Sequence, residues 1–279
     1  MKDTKSSLEL AKASPGGLPG ISIITPSLNQ GRFIRRTIES VLSQNYPNLE
    51  YLVMDGGSSD NTLDVLNSYS GRVKWVSEND QGQTHAINKG LRMATGDIVA
   101  YLNADDLLLP GSLLKVARVF MDNPEALWAT GKCRIINDDD REIRGWLTMY
   151  KNFWLHIRSH SVFLVMDYIS QPATFWRADA LTRLGFLDES LHYVMDYDYL
   201  LRLYAESPPV FIPEYLAAFR LHVESKTTAK TSSSEGGAGR YLEEESAVIR
   251  RYTRSWFLFL LYRIHRRLMV WVYSLLKMI

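Results

Sequence analysis

The sequence predicts an α/β fold, a mostly parallel sheet flanked by helices, followed by an amphipathic helical tail. Three observations carry that expectation. From Ile21 onward, short β-branched runs alternate with segments of helical periodicity. Strand–helix–strand order implies parallel strands joined by crossover helices. The polar clusters fall just after strand ends, where sheets of this kind bind ligands. The composition is that of a globular chain: of 279 residues, 46% are hydrophobic and 23% charged.

Taken in order, Ile21 to Thr25 reads as a strand that ends at Pro26. Arg32 to Gln44 spaces Phe33, Ile34, Ile38, Val41 and Leu42 along a helix, and Tyr46-Pro47 stops it. Leu49 to Met54 is a second strand, followed by the turn from Asp55 to Asn61. Thr62 to Tyr69 reads as a helix, Val73 to Val76 as a third strand and Thr84 to Ala94 as another helix. Gly96-Asp97 leads into the apolar run Ile98 to Leu102, which breaks into Asn103-Ala104-Asp105-Asp106. Leu113 to Met121 reads as a helix, and Leu127 to Ile136 as a strand ending in the polar run Asn137 to Asp140. Tyr150 to Ile169, rich in aromatics and histidines, fits no single element. Ala178 to Leu184 and Tyr197 to Ala205 read as helices, Val210 to Pro213 and Ala217 to Leu221 as two strands. The Ser/Thr/Gly/Lys stretch Glu224 to Gly239 reads as a mobile loop. The expected organisation is a disordered leader at 1–19 and a main domain at 20–223, with halves at about 20–110 and 111–223. A loop at 224–240 and a tail at 241–279 follow.

Several function classes are excluded. A net charge of +1 argues against a nucleic-acid binder. The one cysteine, Cys133, allows neither an internal disulfide nor a thiolate metal cluster, and suits a reducing compartment. There is no Walker loop, no GxGxxG after a strand, no HExxH and no GxSxG elbow. The segment before residue 20 lacks the apolar core of a signal peptide.

The tail is unusual. Ser246 to Ile279 carries seven Lys or Arg and no acid. As one helix, Trp256 to Ile279 would extend about 36 Å. Burying its three central arginines in a bilayer would cost roughly 7–10 kcal/mol. An in-plane helix avoids most of that cost and lets arginines meet anionic headgroups. The alternative is a helix packed on its own domain or on a second subunit.

The acidic cluster carries the chemistry. Adjacent carboxylates at the mouth of a buried strand are costly unless a cation meets them, and Mg²⁺ or Mn²⁺ shared with a diphosphate is the usual answer. For Asp106 the alternative is an N-cap on the helix near Pro110. Asp55, before Gly56-Gly57, either faces a ligand or forms an Asx turn. Asp80-Gln81-Gly82-Gln83 precedes a helix with His85 and Asn88, whose N-terminus attracts phosphate. Asp196 and Asp198 open a helix, so one can face a pocket while the other caps it. His222, beside Arg220, is a candidate metal ligand, with a hydrogen-bonded structural histidine as its alternative. Trp146, Tyr150, Trp154 and Trp176 offer a sugar or lipid platform, or plain core for at least two of them.

These fragments together resemble glycosyltransferase family 2. The matching text is Ser22 to Gln30, Val41 to Pro47, Met54 to Asp60, Asp80 to Gln83, Ala86 to Gly90, Thr95 to Asp106, Gln171 to Phe175, Asp196 to Asp198 and Phe219 to His222. The resemblance covers roughly residues 20–228 and implies the GT-A fold, a Rossmann-like sheet, with inverting transfer from a nucleotide-diphosphate sugar of UDP or GDP type. It implies that Pro26, Ser27 and Asp55 hold the nucleobase and ribose. Asp80, His85 and Asn88 then line the donor pocket with Asn103 and Ala104. Asp105, with His222, would ligate Mg²⁺ or Mn²⁺, Asp196 would be the general base, and Gln171, Pro172 and Trp176 would meet the acceptor. One departure stands out: Asn103 occupies a position where the family usually has aspartate.

The chemistry fits these residue types. Charge develops on the departing diphosphate, which a cation stabilises. The acceptor hydroxyl must lose its proton on the opposite face, which needs a second carboxylate. The expected protein is a cytoplasmic transferase at the inner face of a membrane, making cell-surface polysaccharide or glycolipid from a saccharide or lipid-linked acceptor. It would touch the anionic surface through 246–279, with self-association left open. Two rivals are a non-catalytic sugar-nucleotide-binding scaffold, favoured by Asn103, and a nucleotidyltransferase. The latter wants a basic loop that Thr25 to Gly31 lacks.

Overall fold

In the computed structural model, residues 17–223, 225 and 237–276 are described. Strands β1 (Ile21–Ser27), β2 (Leu49–Asp55), β3 (Lys74–Ser77) and β4 (Ile98–Tyr101) pair in parallel. Helices α1 (Ile34–Leu42), α2 (Thr62–Asn67) and α3 (Gln83–Met93) connect them. Along these strands alternate residues point to opposite layers. Ile21, Ile23, Tyr51, Val53, Ile98 and Ala100 join one buried cluster, whereas Ile24, Leu52, Met54, Val99 and Tyr101 join the other. The sheet is therefore covered on both faces, as the near-continuous apolar strands require.

The second half departs from parallel order. The sheet runs β3-β2-β1-β4-β7-β6-β8-β5 among the described residues. The added strands are β5 (Leu107–Leu108), β6 (Trp128–Ile136), β7 (Thr174–Arg177) and β8 (Val210–Arg220), with α4 (Ser112–Asp122) after β5. β7 lies antiparallel between β4 and β6, so strand direction reverses there within one continuous sheet. The two expected strands around Pro213 are one strand whose register shifts opposite Gly131 and Lys132. Proline is tolerated at such an irregularity because no ladder donor is needed there. The unassigned aromatic stretch forms two helices, α5 (Gly145–Trp154) and α6 (His160–Met166). Then follow α7 (Asp179–Leu184) and α8 (Met195–Glu206).

The boundaries shift at both ends. Leu18 and Pro19 belong to the domain, because their carbonyls accept from Asn48 Nδ2 at 2.6 Å and from the Tyr46 hydroxyl at 2.5 Å. The rest of the expected leader, 1–16, lies outside the described residues, as does most of the expected loop. A helix, α9 (Gly237–Tyr252), begins inside that expected loop, and α10 (Trp256–Leu276) follows as one helix. Val248, Ile249 and Tyr262 enter the main core. No described helix is long and apolar enough to cross a membrane.

Candidate active site

The carboxyl ends of β1, β2 and β4 converge. Ser27 ends β1, and its carbonyl accepts from Gly56 N at 2.8 Å. Its hydroxyl is buried without a hydrogen-bond partner, an arrangement that leaves roughly 1–3 kcal/mol to be recovered by a ligand. The Asp55 carboxylate accepts from Gly57 N, Ser58 N, Ser58 Oγ and Ser77 Oγ at 2.5–3.1 Å. It is thus an Asx turn that holds the β2 loop in shape. A Cβ at Gly56 would lie 2.6 Å from Asp80 Oδ2, so a larger residue there would displace the Asp80 carboxylate. Asp80 in turn accepts from Gly82 N at 2.8 Å, just before α3.

The acidic cluster is built from below. Thr37 Oγ1 on α1 donates to the carbonyls of Ala104 and Asp106 at 2.7 and 2.9 Å. Asp106 is fully buried and accepts from Arg220 N at 2.8 Å and from Asn103 Nδ2 at 3.1 Å. It does not cap a helix. Burial, and then the neighbouring Asp105 charge, push its carboxyl well above the usual range against Arg220 and Asn103. Asn103 Oδ1 accepts from Gln83 Nε2 at 2.8 Å, so an aspartate at 103 would face Asp106 without a donor. Arg220 is buried too. Its guanidinium donates to the carbonyls of Asp105 and Asn137 at 2.7 and 2.6 Å and pairs with Asp140.

Asp105 itself stays partly open. Its Oδ2 lies 3.0 Å from His222 Nε2, and His222 is buried against the Phe33 ring at 4.7 Å. Among the described residues no three His, Cys, Asp or Glu side chains cluster as a metal cage. A cation held by Asp105 and His222 would therefore complete its shell from a ligand or water.

Asp196 opens α8, half-buried, and accepts from Tyr197 N at 2.8 Å. The Tyr101 hydroxyl, at the end of β4, is raised well above its usual range by burial and then by the charges of Asp196 and Asp106. The Tyr199 ring of α8 packs on Trp176, which packs on Tyr101, so α8 runs beside the end of β4 that carries the acidic cluster. Asp198 is turned the other way, paired with Arg202 at 3.0 Å and bonded to the Tyr252 hydroxyl at 3.1 Å.

Some expected site residues go elsewhere. Asn88 is buried and binds the carbonyl and amide of Leu187 and the Glu189 carboxylate at 2.8–3.1 Å; it ties down a loop rather than lining a pocket. Trp176 is core, packed on Tyr101 and Tyr199, and cannot meet an acceptor. Gln171 and Pro172 are buried likewise, and Gln171 Nε2 donates to the Tyr101 carbonyl at 2.7 Å. His85 remains half-buried in the first turn of α3, 3.5 Å from Gln81 N. Arg220 and Gln83 were given no role by the sequence. An arginine inside the apolar run Ala217 to Leu221 was the available signal, because a buried guanidinium needs anionic or carbonyl partners.

Residues 22–185 match the sequence profile of glycosyl transferase family 2, more than half of the chain, and the chain belongs to that family. An uncharacterized glycosyltransferase of Nostoc sp. is 34% identical over 127 residues, 44% of this chain and 39% of that protein. A poly-beta-1,6-N-acetyl-D-glucosamine synthase of Staphylococcus epidermidis is 28% identical over 188 residues, 66% of this chain and 46% of the synthase. The chain therefore spans less than half the length of these two relatives. The mannosyltransferase PcManGT from Pyrobaculum calidifontis, solved with GDP-Man and Mn²⁺, superposes with a TM-score of 0.65 at 17% identity, over 95% of this chain and 76% of that one. TarS 1–349 of S. aureus, solved with UDP-GlcNAc, gives 0.63 at 19% identity, over 82% and 65%. These likenesses identify the fold as GT-A, and the chain carries a glycosyltransferase family 2 domain.

Proposed function

We propose that the protein transfers a sugar from a nucleotide-diphosphate sugar to an acceptor hydroxyl with inversion, in polysaccharide or glycolipid synthesis. The observation that carries this reading is that the acidic cluster of Asp105 and Asp106 and the carboxylate of Asp196 both lie near the buried Tyr101 hydroxyl at the carboxyl end of β4. Ser27, Asp80, His85 and Asn103 surround the donor end of the crevice. Asp196, at the start of α8, accepts the proton of the attacking hydroxyl as the glycosidic bond forms.

The donor set suits a divalent cation. Asp105 and His222, whose Oδ2 and Nε2 lie 3.0 Å apart, would hold such an ion between them. When bound there, Mg²⁺ or Mn²⁺ offsets negative charge on the diphosphate oxygens. Arg220 keeps Asp105 and His222 in register through the Asp105 carbonyl and its own place on β8. Through its basic tail the protein meets an anionic membrane surface at the cytoplasmic side.

Asp196→Asn is expected to lower transfer at least a thousandfold while nucleotide sugars still raise the melting temperature; full transfer by that variant defeats the assignment. Asn103 favours one other reading, a sugar-nucleotide-binding scaffold. Donor hydrolysis by the unaltered chain, compared with and without Mn²⁺, separates the two.

A further inference from the structure

Two aromatic-rich basic stretches of this chain contain no acid. One is 143–166, with Arg144, Lys151 and Arg158; the other is 246–279, with seven Lys or Arg. The whole chain carries 31 acids against 32 bases, so neither stretch reflects its average. They are distant in sequence, yet the fold sets them side by side. The Tyr150 hydroxyl on α5 lies 3.0 Å from His265 Nε2 on α10, and the two rings stack at 6.5 Å with an 11° interplanar angle.

Each helix turns an apolar face outward. On α5, Met149 and Phe153 are 67% and 64% exposed, one helical turn apart. On α10, Leu260, Ile264 and Leu268 recur every four residues, with Ile264 55% exposed and Leu268 52%. Tyr262, on the far side of α10, is buried and donates to Glu245 Oε2 at 2.7 Å. Exposed Arg263 and Arg267 run along the edge of the apolar line at the 100° spacing of a helix.

We infer that α5 and α10 together form a two-helix platform that docks on an anionic lipid bilayer. Exposed apolar side chains edged by Arg263 and Arg267, on two helices that themselves carry no acid, match headgroup charge outside and acyl chains within. A second copy of the chain would bring like charge against like charge. This rests on the peripheral-membrane reading above and extends it from the tail to the catalytic half. It also orients the site: the Tyr197 hydroxyl of α8 donates to the Leu164 carbonyl of α6 at 2.7 Å, so the helix bearing Asp196 is anchored to the segment that follows α5.

The test is flotation of the full chain with phosphatidylcholine vesicles, with and without phosphatidylglycerol, for unaltered protein, M149E/F153E and I264E/L268E. The substitutions are at exposed sites, and an unchanged melting temperature checks that each variant is folded. Expected are binding that requires phosphatidylglycerol and about a tenfold loss in each double variant. If the unaltered protein binds while M149E/F153E binds equally well, the platform falls and the tail alone is the anchor. If the unaltered protein binds neither vesicle, both fall, and sedimentation that depends on concentration would instead assign the face to self-association. Equal binding to both vesicles overturns the role of charge.

Discussion

Asn103 is the residue where this chain departs from its family's usual acid, and its surroundings explain the amide. One end accepts from Gln83 and the other donates to the buried Asp106 carboxylate. An aspartate could not donate, and would place a second charge 3.1 Å from a carboxyl already held above its usual range. Asn103→Asp should therefore cost about 1–3 kcal/mol of stability at neutral pH, read from urea midpoints. Arg220 shows the complementary logic. It is a buried cation whose donors go to two carbonyls and Asp140, and it fixes the backbone that presents Asp105.

At the scale of elements, Glu50 on β2 holds three segments together. Its carboxylate accepts from Ser22 Oγ of β1 at 2.6 Å, Thr95 N before β4 at 2.7 Å and Lys74 Nζ of β3 at 3.0 Å. Burial would raise its pKa, but the bonds from Ser22, Thr95 and Lys74 outweigh it and bring the group down to about 2 from 4.5. A carboxyl depressed in the folded state stabilises above its unfolded value. That contribution should fade as pH falls from 4.5 toward about 2. Glu50→Gln should flatten this part of the acid limb in thermal melts against pH. Helix α3 illustrates a different constraint: a Cβ at Gly90 would lie 2.4 Å from Ile24 Cγ2, so this helix must press closely on β1.

At the scale of the whole molecule, the tail is both surface and core. Glu245 on α9 is buried, bonded by the Tyr241 and Tyr262 hydroxyls and paired with Arg266 at 3.2 Å. Deleting residues 255–279 removes Tyr262 and Arg266, together with the packing of α10, and leaves that carboxylate with Tyr241 alone. The truncated chain should lose about 3 kcal/mol or more of stability, read from denaturant midpoints. Release from membranes by such a truncation would therefore be ambiguous, whereas exposed-face substitutions leave Glu245 satisfied.

Strand and helix periods, being local, were legible in the sequence: β1 to β4, their helices, and the placing of polar clusters at strand ends follow from apolar spacing alone. So did the acidic cluster and the basic tail, because charge composition needs no coordinates. What only the tertiary structure decided is which polar groups face the crevice. Asn88 sits in a family-like motif and Trp176 directly follows one, yet their atoms are used by Leu187 and by Tyr101 and Tyr199. The pairing of α5 with α10 joins residues far apart in the chain, whereas that of Asp105 with His222 was already implied by the family resemblance. Such contacts are set by how strands return to the sheet and helices close over it, and local propensity holds no record of that.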